Sequence, residues 1–162
     1  MNNNYFDELW MNQALKLTER AKNKGEVPVG AILILNNSII GEGWNSSIEY
    51  NDPTAHAEII ALRQGGQRIG NYRLIKTTMY VTLEPCLMCV GAMIHARINR
   101  LVFGASYKKN KTKEHLKKIF KDQYINHKII LNSGIQEQQC SLQLSNFFKN
   151  CRINKKKNSK CY

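Results

Sequence analysis

The sequence predicts a single α/β domain in which one mixed five-stranded sheet carries helices on both faces, a three-layer α/β/α arrangement. Three observations lead there. The apolar run Ala31-Ile32-Leu33-Ile34-Leu35 is followed by Asn36-Asn37 and a second β-rich segment, Ser38 to Trp44, the pattern of an antiparallel hairpin. From Thr77 onward, β-rich segments alternate with helical ones long enough to cross over, which makes that half of the sheet parallel. A chain of 162 residues, 43% of them hydrophobic, buries one core without help from disulfides.

Each element has its own signal. Between Tyr5 and Lys22, Phe6, Leu9, Trp10, Gln13, Leu17 and Ala21 recur every three or four residues without Gly or Pro, so the segment reads as an amphipathic helix that Gly25 ends. The hairpin follows, then a polar loop from Asn45 to Pro53. Thr54 is the expected cap of a helix running to about Gln64, with Gly65-Gly66 as its stop. Thr77 to Leu83 reads as a strand. Glu84-Pro85 then opens a helix to about His95, since proline disfavours helical backbone before it and suits a first helical position. Leu101 to Gly104 and Lys128 to Leu131 are short strands, and Gln136 to Cys151 is the last helix. Residues 1–153 form one domain in this reading, and the basic tail 154–162 is disordered.

Composition narrows the classes of function. The N-terminus lacks a basic segment followed by an apolar run, and no stretch of 18 apolar residues occurs, so no membrane association and a cytoplasmic location are expected. Of five cysteines, Cys86 and Cys89 stand three apart in the manner of a metal site. Cys140 sits in an apolar stripe and reads as a small core residue. A net charge of +12 suits a polyanionic partner. The abundance of Asn, Ile and Lys is also what compositional drift produces, so both origins of the charge stay open.

Two segments carry the chemistry: Pro53-Thr54-Ala55-His56-Ala57-Glu58 and Pro85-Cys86-Leu87-Met88-Cys89, each at a helix start. Cysteines three apart in a first turn share a face, and the helix dipole with its unpaired N–H groups favours their thiolates. One imidazole, from His56, makes three ligands of nitrogen and sulfur. That leaves the fourth tetrahedral position of Zn²⁺ for water, as in catalytic zinc sites. Glu58, two residues from His56, points elsewhere on a helix and flanks the metal as a proton carrier. A closed structural zinc site is the bland alternative, but His95, the best fourth ligand, stands about three turns from Cys86.

The spacing is the H-x-E and P-C-x-x-C signature given for zinc nucleobase deaminases. Further blocks extend it: Glu26 to Ala31, Gly41-Glu42-Gly43-Trp44-Asn45, Asp52 to Ile59, Asn71-Tyr72-Arg73-Leu74, Tyr80 to Cys86, and Cys89 through Phe103-Gly104-Ala105. Together they resemble the bacterial tRNA-specific adenosine deaminases, closely over residues 5 to 105 and more loosely around Phe147-Phe148. The resemblance implies a cytidine-deaminase-like fold with sheet order 2-1-3-4-5, one Zn²⁺ per subunit, and a homodimer. It also implies deamination of the wobble adenosine in a tRNA anticodon stem-loop to inosine. Asn45 would then hydrogen-bond the flipped base, since an amide donates and accepts at once. One stretch departs from the family: Ser106 to Lys113 lacks the expected glycines and acid, with Tyr107 at the acidic position and four lysines that suit either phosphate contacts or drift. Phe147 and Phe148 read more readily as packing than as base stacking. The competing functions are a free nucleobase or nucleoside deaminase acting on cytosine, cytidine or guanine, and a decayed RNA-binding relative. Glu58 argues against the last, because a pure binder has no chemical use for it.

Overall fold

The computed structural model describes residues 3–106, 112–123 and 125–158. Five strands form one sheet: β1 (Gly30–Leu35), β2 (Ser38–Trp44), β3 (Thr78–Leu83), β4 (Arg100–Ala105) and β5 (Ile130–Ser133). Their order is β2-β1-β3-β4-β5. β1 is antiparallel to β2 and to β3, while β3–β4 and β4–β5 are parallel. The expected mixed sheet and its order are therefore present. The hairpin turns on Asn36 (φ 49°) and Asn37 (φ 55°), left-handed conformations that asparagine tolerates.

Among the described residues six helices accompany the sheet: α1 (Asn3–Asn23), α2 (Ser47–Tyr50), α3 (Ala57–Ile69), α4 (Leu87–His95), α5 (Thr112–Lys121) and α6 (Glu137–Asn158). α1 and α6 share one face, where α1 packs on Gly30 and α6 lays Cys140 on Gly104. The opposite face carries α3, which lies so close to β2 that a Cβ at Gly43 would sit 2.0 Å from the Ala57 carbonyl oxygen. Only glycine permits that approach, and it fixes where α3 begins. The core between the layers includes Ile32, Leu33, Val81, Leu101 and Phe103, all fully buried. A buried ion pair ties α1 to the sheet: Arg100 grips the Asp7 carboxylate with two N–H donors at 2.8 and 2.7 Å, and the Tyr80 hydroxyl donates to it at 2.8 Å.

Several boundaries differ from the sequence reading, each for a local reason. α3 starts at Ala57 rather than after Thr54, because the Thr54 hydroxyl and N–H are both held by Asp52 Oδ1 at 2.7 Å. It also runs through Gly65-Gly66 and ends at Gly70 (φ 66°). Gly65 belongs to the helix because a side chain there would meet Leu33 Cδ2 at 2.5 Å, so it marks close packing on β1 rather than a stop. α4 begins at Leu87, two residues after Pro85. α5 received no boundaries from the sequence, and its Leu116 and Phe120 complete the core. α6 continues five residues past 153, where the sequence reading ended the ordered domain; lysine sustains helical backbone well. Most of the lysine-rich stretch, residues 107–111, lies outside the described residues, as do residues 159–162 of the basic tail.

Candidate metal centre and active site

Two helix starts meet at the C-terminal end of β3. His56 is the N-cap of α3 and Cys86 the N-cap of α4, both in extended backbone and neither side chain capping its own helix. A capping side chain turns back onto the first amides; these two are free to face one another instead. The work of capping α3 passes to Asn45, whose Oδ1 accepts the Ala57 N–H at 3.0 Å. Asn45 is held in turn by its own N–H to the Val29 carbonyl at 3.2 Å. The loop behind it is pinned by buried Glu26, which accepts the Ile48 and Glu49 N–H groups at 2.6 and 3.0 Å.

The result is a compact triangle. Cys86 Sγ stands 3.6 Å from Cys89 Sγ and 3.6 Å from His56 Nδ1, and Cys89 Sγ stands 3.5 Å from His56 Nδ1. A tetrahedral zinc with bonds of about 2.3 Å to sulfur and about 2.0–2.1 Å to nitrogen requires about 3.8 Å between two sulfurs and about 3.6 Å between sulfur and nitrogen. The three side chains therefore fit a single zinc ion as they stand. Both helix N-termini point their positive ends at the cluster, which favours thiolates. Burial pushes the Cys89 thiol well above the ordinary cysteine range, a penalty that ligation to a cation reverses.

Glu58 sits in the first turn of α3 with 3% of its surface exposed, beside Cys89 and outside the three ligand atoms. Burial pushes its carboxyl up to about 7, opposed by its own backbone N–H and by Cys89. A cation on the neighbouring ligands would draw it back down. His95 is exposed at the far end of α4 and takes no part in the cluster, so among the described residues the ligand set stops at three.

Asn45, the residue the sequence argument set aside for the base, stands at the start of α3. Its carbonyl oxygen accepts the Ala57 N–H, and among the described residues its Nδ2 has no protein partner. Phe147 and Phe148 form an edge-to-face pair 5.5 Å apart on α6. Phe148 is 46% exposed and, with Leu83, Ala105 and Ser106, lines a cavity of about 520 Å³ beyond the C-terminal ends of β3 and β4. It is thus less a packing residue than expected. Sequence reasoning gave no individual role to Glu26 or Asp52. Asp52-Pro53-Thr54 is a legible turn signature, whereas the reach of Glu26 across 22 residues to Ile48 has no local signal.

The sequence profile of the cytidine and deoxycytidylate deaminase zinc-binding region matches residues 4–105. A tRNA-specific adenosine deaminase of Buchnera aphidicola subsp. Schizaphis graminum is 57% identical over 147 residues, covering 91% of this chain and 97% of that protein. One from Haemophilus influenzae is 53% identical over 152 residues, covering 93% of this chain and 88% of its own. A solved structure from biochemical and structural studies of A-to-I editing by tRNA A34 deaminases superimposes with a TM-score of 0.78 at 38% identity, covering 83% of this chain and 98% of that one. Among the described residues, no helix is long and apolar enough to cross a membrane.

Proposed function

This chain belongs to the cytidine and deoxycytidylate deaminase family, among its tRNA-specific adenosine deaminases, and on that premise we propose which of its residues convert the wobble adenosine of a tRNA anticodon to inosine. The observation that carries the reading is the His56, Cys86, Cys89 triangle with buried Glu58 beside it, three ligands that leave the fourth position of a tetrahedral zinc to water. When bound, zinc supplies a Lewis acid that lowers the pKa of a water to about 7. Glu58 removes a proton from the attacking water and delivers it to the purine ring as oxygen adds at C6. It then passes a proton to the amino group, which leaves as ammonia. Water and adenosine give inosine and ammonia, and Glu58 ends as it began.

Asn45 donates through Nδ2 to the flipped base, while its oxygen holds the start of α3; substrate binding and the placement of His56 are thereby coupled through one side chain. The zinc domain runs from α1 to the end of α6, the working form is a homodimer, and the compartment is the cytoplasm, where tRNA is found. The partner is the anticodon stem-loop. A free base or nucleoside is the competing substrate, and the pocket chemistry alone serves either.

The test incubates zinc-loaded protein with an anticodon stem-loop carrying a wobble adenosine, beside adenine, adenosine, cytosine, cytidine and guanine. Inosine in the RNA and no product elsewhere is expected. Turnover confined to a free base or nucleoside would overturn the substrate while leaving the zinc mechanism in place.

A further inference from the structure

At the opposite end of α4 from the metal centre lies a basic cleft with no place in the reaction. It consists of two adjoining cavities, of about 450 and about 320 Å³, that share Arg73 and Arg97 as walls. His95 and exposed Tyr72 line the larger and His127 the smaller. Neither lining contains a carboxylate among the described residues. Among the described residues neither arginine has an acidic partner, although Arg63 and Arg100 elsewhere do.

Each arginine has one contact among the described residues. Arg73 lies with its guanidinium carbon 5.4 Å from the Tyr72 ring centroid, which leaves its edge donors free. Arg97 donates through Nη1 to the Asn126 carbonyl at 3.1 Å, and its remaining donors are unspent among the described residues. Its backbone is left-handed (φ 60°), as is that of Lys76 (φ 65°), one residue beyond Ile75 in the same wall. Glycine is the residue such positions favour, and a long cation at each is a departure from it. Like charges brought together cost free energy unless an anion joins them, and several fork-shaped donors suit phosphodiester oxygens.

We propose that this cleft, framed by Arg73 and Arg97, is a second contact for the RNA backbone, distinct from the site that holds the reacting base. The inference rests on RNA being the substrate. From Cys86 to His95 is nine residues of helix, so the cleft stands about 14 Å from the ligands along α4. A free nucleoside does not bridge that distance and a stem-loop does. The cleft thus adds affinity for long RNA and none for a nucleoside.

The test measures binding of labelled anticodon stem-loop RNA to the full-length zinc-loaded protein across a salt series, for wild type, Arg73→Gln, Arg97→Gln and Gly91→Glu. Gly91 lines the larger cavity, and a Cβ added there meets nothing within 4 Å, so the backbone accepts a side chain and glutamate brings a negative charge to the cleft. Each arginine variant is expected to weaken binding about five- to tenfold at low salt and to flatten the slope of log affinity against log salt by about one. Gly91→Glu weakens binding with both arginines intact. Wild-type affinity and slope in all three would overturn the proposal. So would a change in oligomeric state with RNA affinity unchanged, which would make the cleft a contact between copies of this chain. Deamination of the same RNA by wild type separates the two readings. Turnover with insensitive variants removes only the cleft, binding without turnover removes only the proposed reaction, and absence of RNA binding removes both.

Discussion

Asn45 is the residue to which we assign both a structural and a chemical role. Its oxygen satisfies the Ala57 N–H, one of the orphan donors at the start of α3, and so frees the actual N-cap, His56, to face the two sulfurs. Two substitutions separate its roles. Asn45→Ala removes both oxygen and amide, and is expected to cost about 1 kcal/mol of stability, the usual value of a lost cap, together with turnover. Asn45→Asp keeps an acceptor for the helix start but no N–H for the base, so it should melt like wild type and still lose turnover. Retained turnover in Asn45→Asp would show that the amide donor is not the substrate contact. At this scale the metal centre was legible in advance: Cys86 and Cys89 by their spacing in one first helical turn, and His56 by the H-x-E signature that accompanies them. The outside cap was not, since it joins residues 12 apart through a loop whose path no local pattern encodes.

The elements divide along the same line. Strands β1 to β3 were readable because their apolar runs and turn residues are local, and α1 because its stripe is periodic. Helix starts and stops depended on tertiary contacts: Asp52 withdraws Thr54 from capping, and close packing on Leu33 keeps Gly65 inside α3. The elements are also bound by a group the sequence pattern hid. Asp7 on α1 is 3% exposed and takes donors from Arg100 on β4 and Tyr80 on β3, while Arg100 Nε donates to Asn132 on β5 at 2.8 Å. Burial and the adjacent Asp7 carboxylate push the Tyr80 phenol upward, so it stays a donor at neutral pH. Arg100→Ala strands a buried carboxylate, with an expected loss of about 3 kcal/mol, the low end for such pairs because 21% of the arginine side chain remains exposed. The denaturation midpoint measures it. A loss below about 1 kcal/mol, the range of an exposed ion pair, would mean that water already reaches Asp7.

On the scale of the whole molecule, the sheet order brings the ends of β2 and β3 together, so that two helices starting there present their positive termini to one point. That convergence explains why a cation with thiolate ligands belongs in this place. The net charge of +12 was open to two explanations from composition; the cleft around Arg73 and Arg97 gives part of it a location where it acts on RNA. The central claim remains that three residues hold the metal while a fourth moves protons. Its most direct test measures zinc content and wobble deamination side by side in wild type and Glu58→Ala. One zinc per chain in both proteins, with turnover reduced by at least about 10²-fold in the variant, is the expected result. Loss of zinc from Glu58→Ala would make Glu58 a ligand, and retained turnover would place the proton carrier elsewhere; either contradicts the account.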